Sequence, residues 1–134
     1  MTVVDCSAMI ELLAAKTPTG EAIARRVTTA QTLYAPYLLD GEVISALLGL
    51  KRGKKISERE ADAALFNYRA FPVERQDVLP LWSRLKILHA NLSAHDAQYV
   101  ALAEALNVSL ITADARIKRS GAARCEIEVF DTHA

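Results

Sequence analysis

Short β-rich apolar runs alternate with helical stretches along this chain, and no other feature restricts its fold so tightly. Val3-Val4, Leu33 to Pro36, Phe71-Pro72-Val73, Val108 to Thr112 and Ile127 to Phe130 read as five short strands. Between them, Ser7 to Ala15 reads as a helix, and a second helix starts at Thr17-Pro18, where proline at the first helical position loses no hydrogen bond. Leu38 to Arg52 carries Leu39, Val43, Ala46, Leu47 and Leu50 at helical spacing and is closed by Gly53. Ser57-Glu58-Arg59-Glu60 is a capping box that opens a helix to about Arg69. Asp77 to His89, with Pro80 in the first turn, Ser93 to Leu106, stopped by Asn107, and Ala115 to Arg119 complete the set. Strands alternating with helices imply a parallel sheet covered on both faces, a three-layer α/β/α sandwich.

The chain has 134 residues, which fits one domain over residues 1–134, and 51% of them are apolar, enough for a genuine core. Sixteen Lys and Arg balance sixteen Asp and Glu, so bulk attraction does not hold nucleic acid, and an RNA partner needs a local basic patch. Aromatics at 6% are too few for an extended stacking platform. Cys6 and Cys125 have neither scaffold number nor metal-ligand spacing, which fits a reducing, cytoplasmic setting. The start has no signal-peptide pattern, and no apolar run approaches the roughly 20 residues that span a bilayer, so no membrane association is expected.

Four acids stand out by position. Asp5 follows the first strand and Asp114 the strand ending at Thr112, while Glu42 and Asp96 fall early in their helices. In open α/β sheets the functional crevice lies beyond the carboxyl ends of the strands, where strand order reverses. If the first and fourth strands are neighbours there, Asp5 and Asp114 face one another, and helix starts bring Glu42 and Asp96 to the same side. Glu42 shares a stripe with Leu39 and Ala46, and Asp96 with Tyr99, Val100 and Ala103. Acids at the margin of a core need neutralising, and no dedicated Lys or Arg is evident for each one. Convergent carboxylates without cysteine suit Mg²⁺ or Mn²⁺ rather than Zn²⁺, and the chemistry such a site serves best is phosphoryl transfer. Taken singly, Asp5, Asp96 and Asp114 suit helix capping better than a site, Asp96 as part of a Ser93-x-x-Asp96 box; it is their joint place on one sheet edge that capping does not require.

Val3-Val4-Asp5-Cys6-Ser7, Leu39-Asp40-Gly41-Glu42-Val43, Ser93-Ala94-His95-Asp96-Ala97 and Leu110-Ile111-Thr112-Ala113-Asp114 together resemble the PIN-domain ribonucleases, specifically the VapC-type toxins of bacterial type II toxin–antitoxin pairs. The resemblance runs over essentially the whole chain. It implies a PIN-like sheet of order 3-2-1-4-5 and an Mg²⁺ or Mn²⁺ site built from Asp5, Glu42, Asp96 and Asp114. Thr112 matches the family's small hydroxyl residue beside the last acid. Also implied are endoribonuclease cleavage leaving a 5′-phosphate and a 3′-hydroxyl, a homodimer, and inhibition by a cognate VapB-like antitoxin. His95 receives no role from the resemblance.

Of the basic clusters, Arg116 to Arg119 adjoins Asp114 and reads either as an RNA phosphate contact or as a solvated helix end, as does Lys51 to Lys55. Trp82, among Leu79, Leu81 and Leu85, reads as core or dimer contact. Leu12, Leu13, Ile23 and Val27 suit either an ordinary core or a groove for an antitoxin helix. His95 and Asp96 are neighbours on one helix and point about 100° apart, which rules out a Ser-His-Asp relay. The alternative function is a non-catalytic RNA- or protein-binding domain on the same fold. A phospho-acceptor signalling domain is disfavoured, because only Asp5 follows the first strand where an acidic pair is needed.

Overall fold

The computed structural model describes residues 1–14 and 16–131. The elements are β1 (Thr2–Val4), α1 (Cys6–Ala14), α2 (Pro18–Thr28), β2 (Leu33–Pro36), α3 (Leu38–Arg52), α4 (Glu58–Ala70), β3 (Val73–Gln76), a 3-10 turn over Leu79–Leu81, α5 (Trp82–Leu88), α6 (Ala94–Leu106), β4 (Ser109–Thr112), α7 (Ala115–Arg119) and β5 (Ile127–Val129). Ala15, expected to end the first helix, lies outside the described residues. No helix among them is long and apolar enough to cross a membrane.

The five strands form one parallel sheet in the order β3-β2-β1-β4-β5. Central β1 pairs with β2 on one side and β4 on the other, with Val3 opposite Tyr34 and Leu110, and Val4 opposite Ile111. Val3, Val4, Leu110 and Ile111 are wholly buried, as strands covered on both faces require. Helix α6 packs on β1, β2 and β4, and α5 packs on α6; α1, α3 and α4 pack as a second group, with α1 against β4 and α3 against β2. The result is the expected three-layer sandwich with its order reversal between β1 and β4.

Local chemistry sets most boundaries. Thr17 caps α2 through Gly20, and Ser57 and Glu60 exchange both bonds of their capping box. Asn107 ends α6 in the left-handed conformation that asparagine tolerates. Gly53 follows α3 as expected, yet the left-handed residue there is Lys54, at φ 57°. Two expectations are corrected. The third strand starts at Val73 rather than Phe71, because Phe71 serves as the extended cap of α4 and polar Glu74, Arg75 and Gln76 pair with β2 at the sheet edge. Asp77 to His89 is not one helix: Asp77 Oδ1 accepts the Leu79 N–H at 2.9 Å, a 3-10 turn follows around Pro80, and α5 begins only at Trp82. Trp82 is 64% exposed, so it is no part of the core, whereas Ile23 and Val27 belong to it rather than to a groove.

Candidate metal and phosphodiester site

Asp5 directly follows β1 and is only 5% exposed. Its backbone N–H continues the sheet ladder to the Ile111 carbonyl (3.1 Å). Oδ1 caps α1 by accepting the Ala8 N–H (3.0 Å) and also accepts the Ser7 hydroxyl (2.8 Å), while Oδ2 accepts the Thr112 hydroxyl. Burial outweighs these donors and raises the carboxyl to about 6. No Lys or Arg among the described residues pairs with it.

Thr112, the last residue of β4, is itself fully buried. Besides donating to Asp5, its oxygen accepts the Asp114 N–H at 3.0 Å. One hydroxyl therefore spans the β1/β4 boundary and fixes both strand-end acids. Asp114 caps α7, accepting the Arg116 N–H at 3.0 Å, and the Arg116 guanidinium grips both its oxygens (2.7 to 3.1 Å). That contact holds the Asp114 carboxyl below the usual range and supplies the dedicated cation that the sequence did not reveal.

Glu42, one turn into α3, accepts the Tyr99 hydroxyl on Oε1 and faces His95 Nδ1 at 3.4 Å from Oε2. Tyr99 is buried, and burial together with Glu42 raises its phenol. Asp96 lies in the first turn of α6. Ser93 Oγ accepts the Asp96 N–H (3.0 Å), but the reciprocal bond of a capping box is not made, and the Asp96 carboxylate accepts no hydrogen bond among the described residues. Its charge is felt by Asp5 and by Arg116. Burial first, then the charges of Glu42 and Asp5, push the Cys6 thiol up to about 12. Electrostatically the four acids form one neighbourhood.

A cavity of about 440 Å³ is lined by Glu42, Ser93, His95, Asp96 and Arg116. Another, of about 420 Å³, borders it through Glu42 and His95 and reaches Cys6, Leu38 and Ser45. A somewhat larger cavity near the start of β4, lined by Glu104, Arg124 and Cys125, contains none of the four acids. The acids share an edge without closing a cage, since no three His, Cys, Asp or Glu side chains among the described residues are gathered tightly enough to hold an ion. Asp114 is turned onto Arg116, and Glu42 onto Tyr99 and His95. The donor set nevertheless fits a hard cation: every candidate atom is a carboxylate oxygen, and Asp5 is a buried acid with no positive partner.

Sequence reasoning missed Tyr99 and His95 as partners of Glu42. The available signal was the phenol itself, because a tyrosine on a buried helix stripe needs an acceptor for its hydroxyl.

The PIN domain family model matches residues 2–122. The chain is 43% identical over 129 residues to ribonuclease VapC9 of Mycobacterium tuberculosis, covering 96% of this chain and 98% of that one, and 39% identical to ribonuclease VapC12 of the same species over the same shares. Among solved structures, PAE2754 from Pyrobaculum aerophilum superposes with a TM-score of 0.66 at 22% identity, covering 96% of this chain and 90% of that one. M. tuberculosis VapC20, described as a sarcin-ricin loop cleaving toxin, gives 0.67 at 18% identity, covering 90% and 95%. These two likenesses speak for the fold, and the curated relatives for the branch. The chain belongs to the PIN-domain family, among its VapC-type toxin ribonucleases.

Proposed function

We propose that this chain is an endoribonuclease toxin acting in the cytoplasm, in which Asp5, Glu42, Asp96 and Asp114 hold Mg²⁺ or Mn²⁺ against an RNA phosphodiester. The observation that carries this reading is Asp5: a buried carboxylate at the strand-order reversal, without a cation partner, in one electrostatic neighbourhood with three further acids. The curated relatives named as ribonucleases supply the reaction class.

A divalent cation bound there neutralises phosphate charge and makes a water more acidic. Asp5, Asp96 and Asp114 would hold it directly or through water, and Glu42 would be either a further holder or the base that takes a proton from water. The protein's own contribution is preorganisation. Thr112, Ser7 and the Ala8 N–H fix both oxygens of Asp5, and Tyr99 fixes one oxygen of Glu42 while His95 faces the other. Arg116 and His95 line the cavity a phosphate would enter.

Two partners follow from the same reading. The exposed side chains Leu79, Trp82 and Ile87 support a homodimer. A cavity of about 420 Å³ lined by Leu12, Leu13 and Phe71 suits an apolar side chain of a VapB-like antitoxin.

The test is cleavage of RNA by the wild type and Asp5→Asn, with Mg²⁺, with Mn²⁺ and with chelator. Cation-dependent cleavage lost in the variant supports the reading. Full activity in chelator, or in Asp5→Asn, overturns it; binding without turnover would favour a non-catalytic RNA-binding domain.

A further inference from the structure

Among the described residues, every hydrogen bond that the Asp114 carboxylate accepts comes from one residue. The Arg116 backbone N–H and Nε reach Oδ1 at 3.0 Å each, and Nε and Nη2 reach Oδ2 at 3.1 and 2.7 Å. Of the basic residues on α7, Arg116 alone among the described residues bonds this carboxylate; Lys118 and Arg119 do not. A carboxylate held in such a fork has fewer lone pairs to offer a metal ion. The guanidinium sits on both oxygens, so a cation drawing on Asp114 competes with Arg116 for the same lone pairs.

The displacement is easy, and the guanidinium has somewhere to go. The Arg116 side chain is 79% exposed, so water can solvate the guanidinium once it leaves the carboxylate. Its residue lines the cavity that contains Glu42 and Asp96, and the charge of Asp96 already acts on it. Anchored in the first turn of α7, a released guanidinium stays at the cavity rim, where its planar pair of donors matches two oxygens of a phosphate. Lysine would match neither partner in this way.

We propose that Arg116 is an exchangeable counter-ion: it holds Asp114 while the acidic site is empty, yields that carboxylate to a divalent cation, and then grips a phosphate of the RNA. The inference rests on the metal reading above.

Mn²⁺ is titrated calorimetrically into the metal-free full chain without RNA, for the wild type, Arg116→Gln, and Arg59→Gln as an exposed charge control. Removing the competing cation tightens Mn²⁺ binding about two- to fivefold in Arg116→Gln, the scale of an exposed ion pair, and leaves Arg59→Gln at the wild-type value. In a second arm, anisotropy follows a fluorescent random-sequence RNA, with Ca²⁺ as a divalent ion chosen to limit cleavage. With Ca²⁺ present, Arg116→Gln binds more weakly, and its salt dependence falls by about 0.7, one phosphate contact on a single strand. Without divalent ion the two proteins bind alike, because Arg116 is then engaged by Asp114. Equal or weaker Mn²⁺ binding in Arg116→Gln overturns the exchange, and unchanged RNA binding in Ca²⁺ overturns the phosphate role. A wild type that takes up no Mn²⁺ overturns the metal reading and this inference with it.

Discussion

Thr112 donates its hydroxyl to the buried carboxylate of Asp5 across the boundary between two parallel strands, and the same oxygen receives the backbone N–H of Asp114. Residues 107 positions apart are thereby fixed where the strand order of the parallel sheet reverses. Thr112→Val keeps the shape and removes both bonds, leaving Asp5 short of a donor and the Asp114 N–H without its acceptor. Urea unfolding should show a loss of about 1–3 kcal/mol, with RNA cleavage at least tenfold slower. Thr112→Ser, which retains the hydroxyl, should restore most of both.

Tyr99 touches the proposed chemistry only through Glu42. In Tyr99→Phe the ring stays in its buried slot and the Glu42 carboxylate loses its fixed donor. Stability should change by about 1 kcal/mol, while cleavage falls on the order of tenfold because the carboxylate is no longer oriented. Paired measurement of unfolding and cleavage separates the two effects; equal loss in both would make Tyr99 merely structural.

Asp5 makes the metal-free protein sensitive to pH. Burial raises its carboxyl from 3.8 to about 6, so the folded state holds the proton more tightly than the unfolded chain does. Its stability contribution is complete below about pH 3.8 and is lost as pH rises through about 6, a change of roughly 2–3 kcal/mol. In chelator, Asp5→Asn should therefore gain on the wild type between about pH 4 and pH 7, as unfolding at both values will show. A constant difference across that range removes burial as the cause.

Glu104 tests whether stability and activity separate. It binds Arg84 at 2.7 Å and accepts the Arg124 N–H at 2.7 Å, tying α5 and α6 to the segment before β5, at the opposite end of β4 from Asp114. Its side chain is 13% exposed and that of Arg84 19%. Glu104→Gln should cost about 1–3 kcal/mol, discounted for the partial exposure, with cleavage unchanged at temperatures where the variant is folded. Against burial, Arg84 and the Arg124 N–H hold the Glu104 carboxyl below its usual 4.5, so this contribution is present above that value and is lost as pH falls through the lowered one.

Much of this was legible in the sequence, for identifiable reasons. Leu38 to Arg52 carries its helical stripe without interruption and forms α3 with those bounds. The buried strands β1 and β4 are apolar enough to be read directly, and with them Asp5 and Asp114 at their ends. The edge strand β3 hid behind Glu74, Arg75 and Gln76, since only one side of it pairs and polar residues are tolerated there. Asp40 was not singled out, although Arg75 and Tyr68 both bond it and pin the start of α3 to β3 and α4. Contacts of that kind join distant segments through side-chain ends, and no local pattern encodes them. The Arg116 fork escaped for another reason: a charged helix start is usually solvated, and only coordinates separate the two cases.

In the proposed site, four acids from four segments serve one cation. The most direct test is the melting temperature of the wild type and of Asp5→Asn, Glu42→Gln, Asp96→Asn and Asp114→Asn, each with chelator and with Mn²⁺. Mn²⁺ should raise the wild-type value, because a ligand of the folded state alone stabilises it, and each substitution should shrink that rise. A rise that stays the same in all four variants, or no rise in the wild type at saturating Mn²⁺, would contradict that assignment.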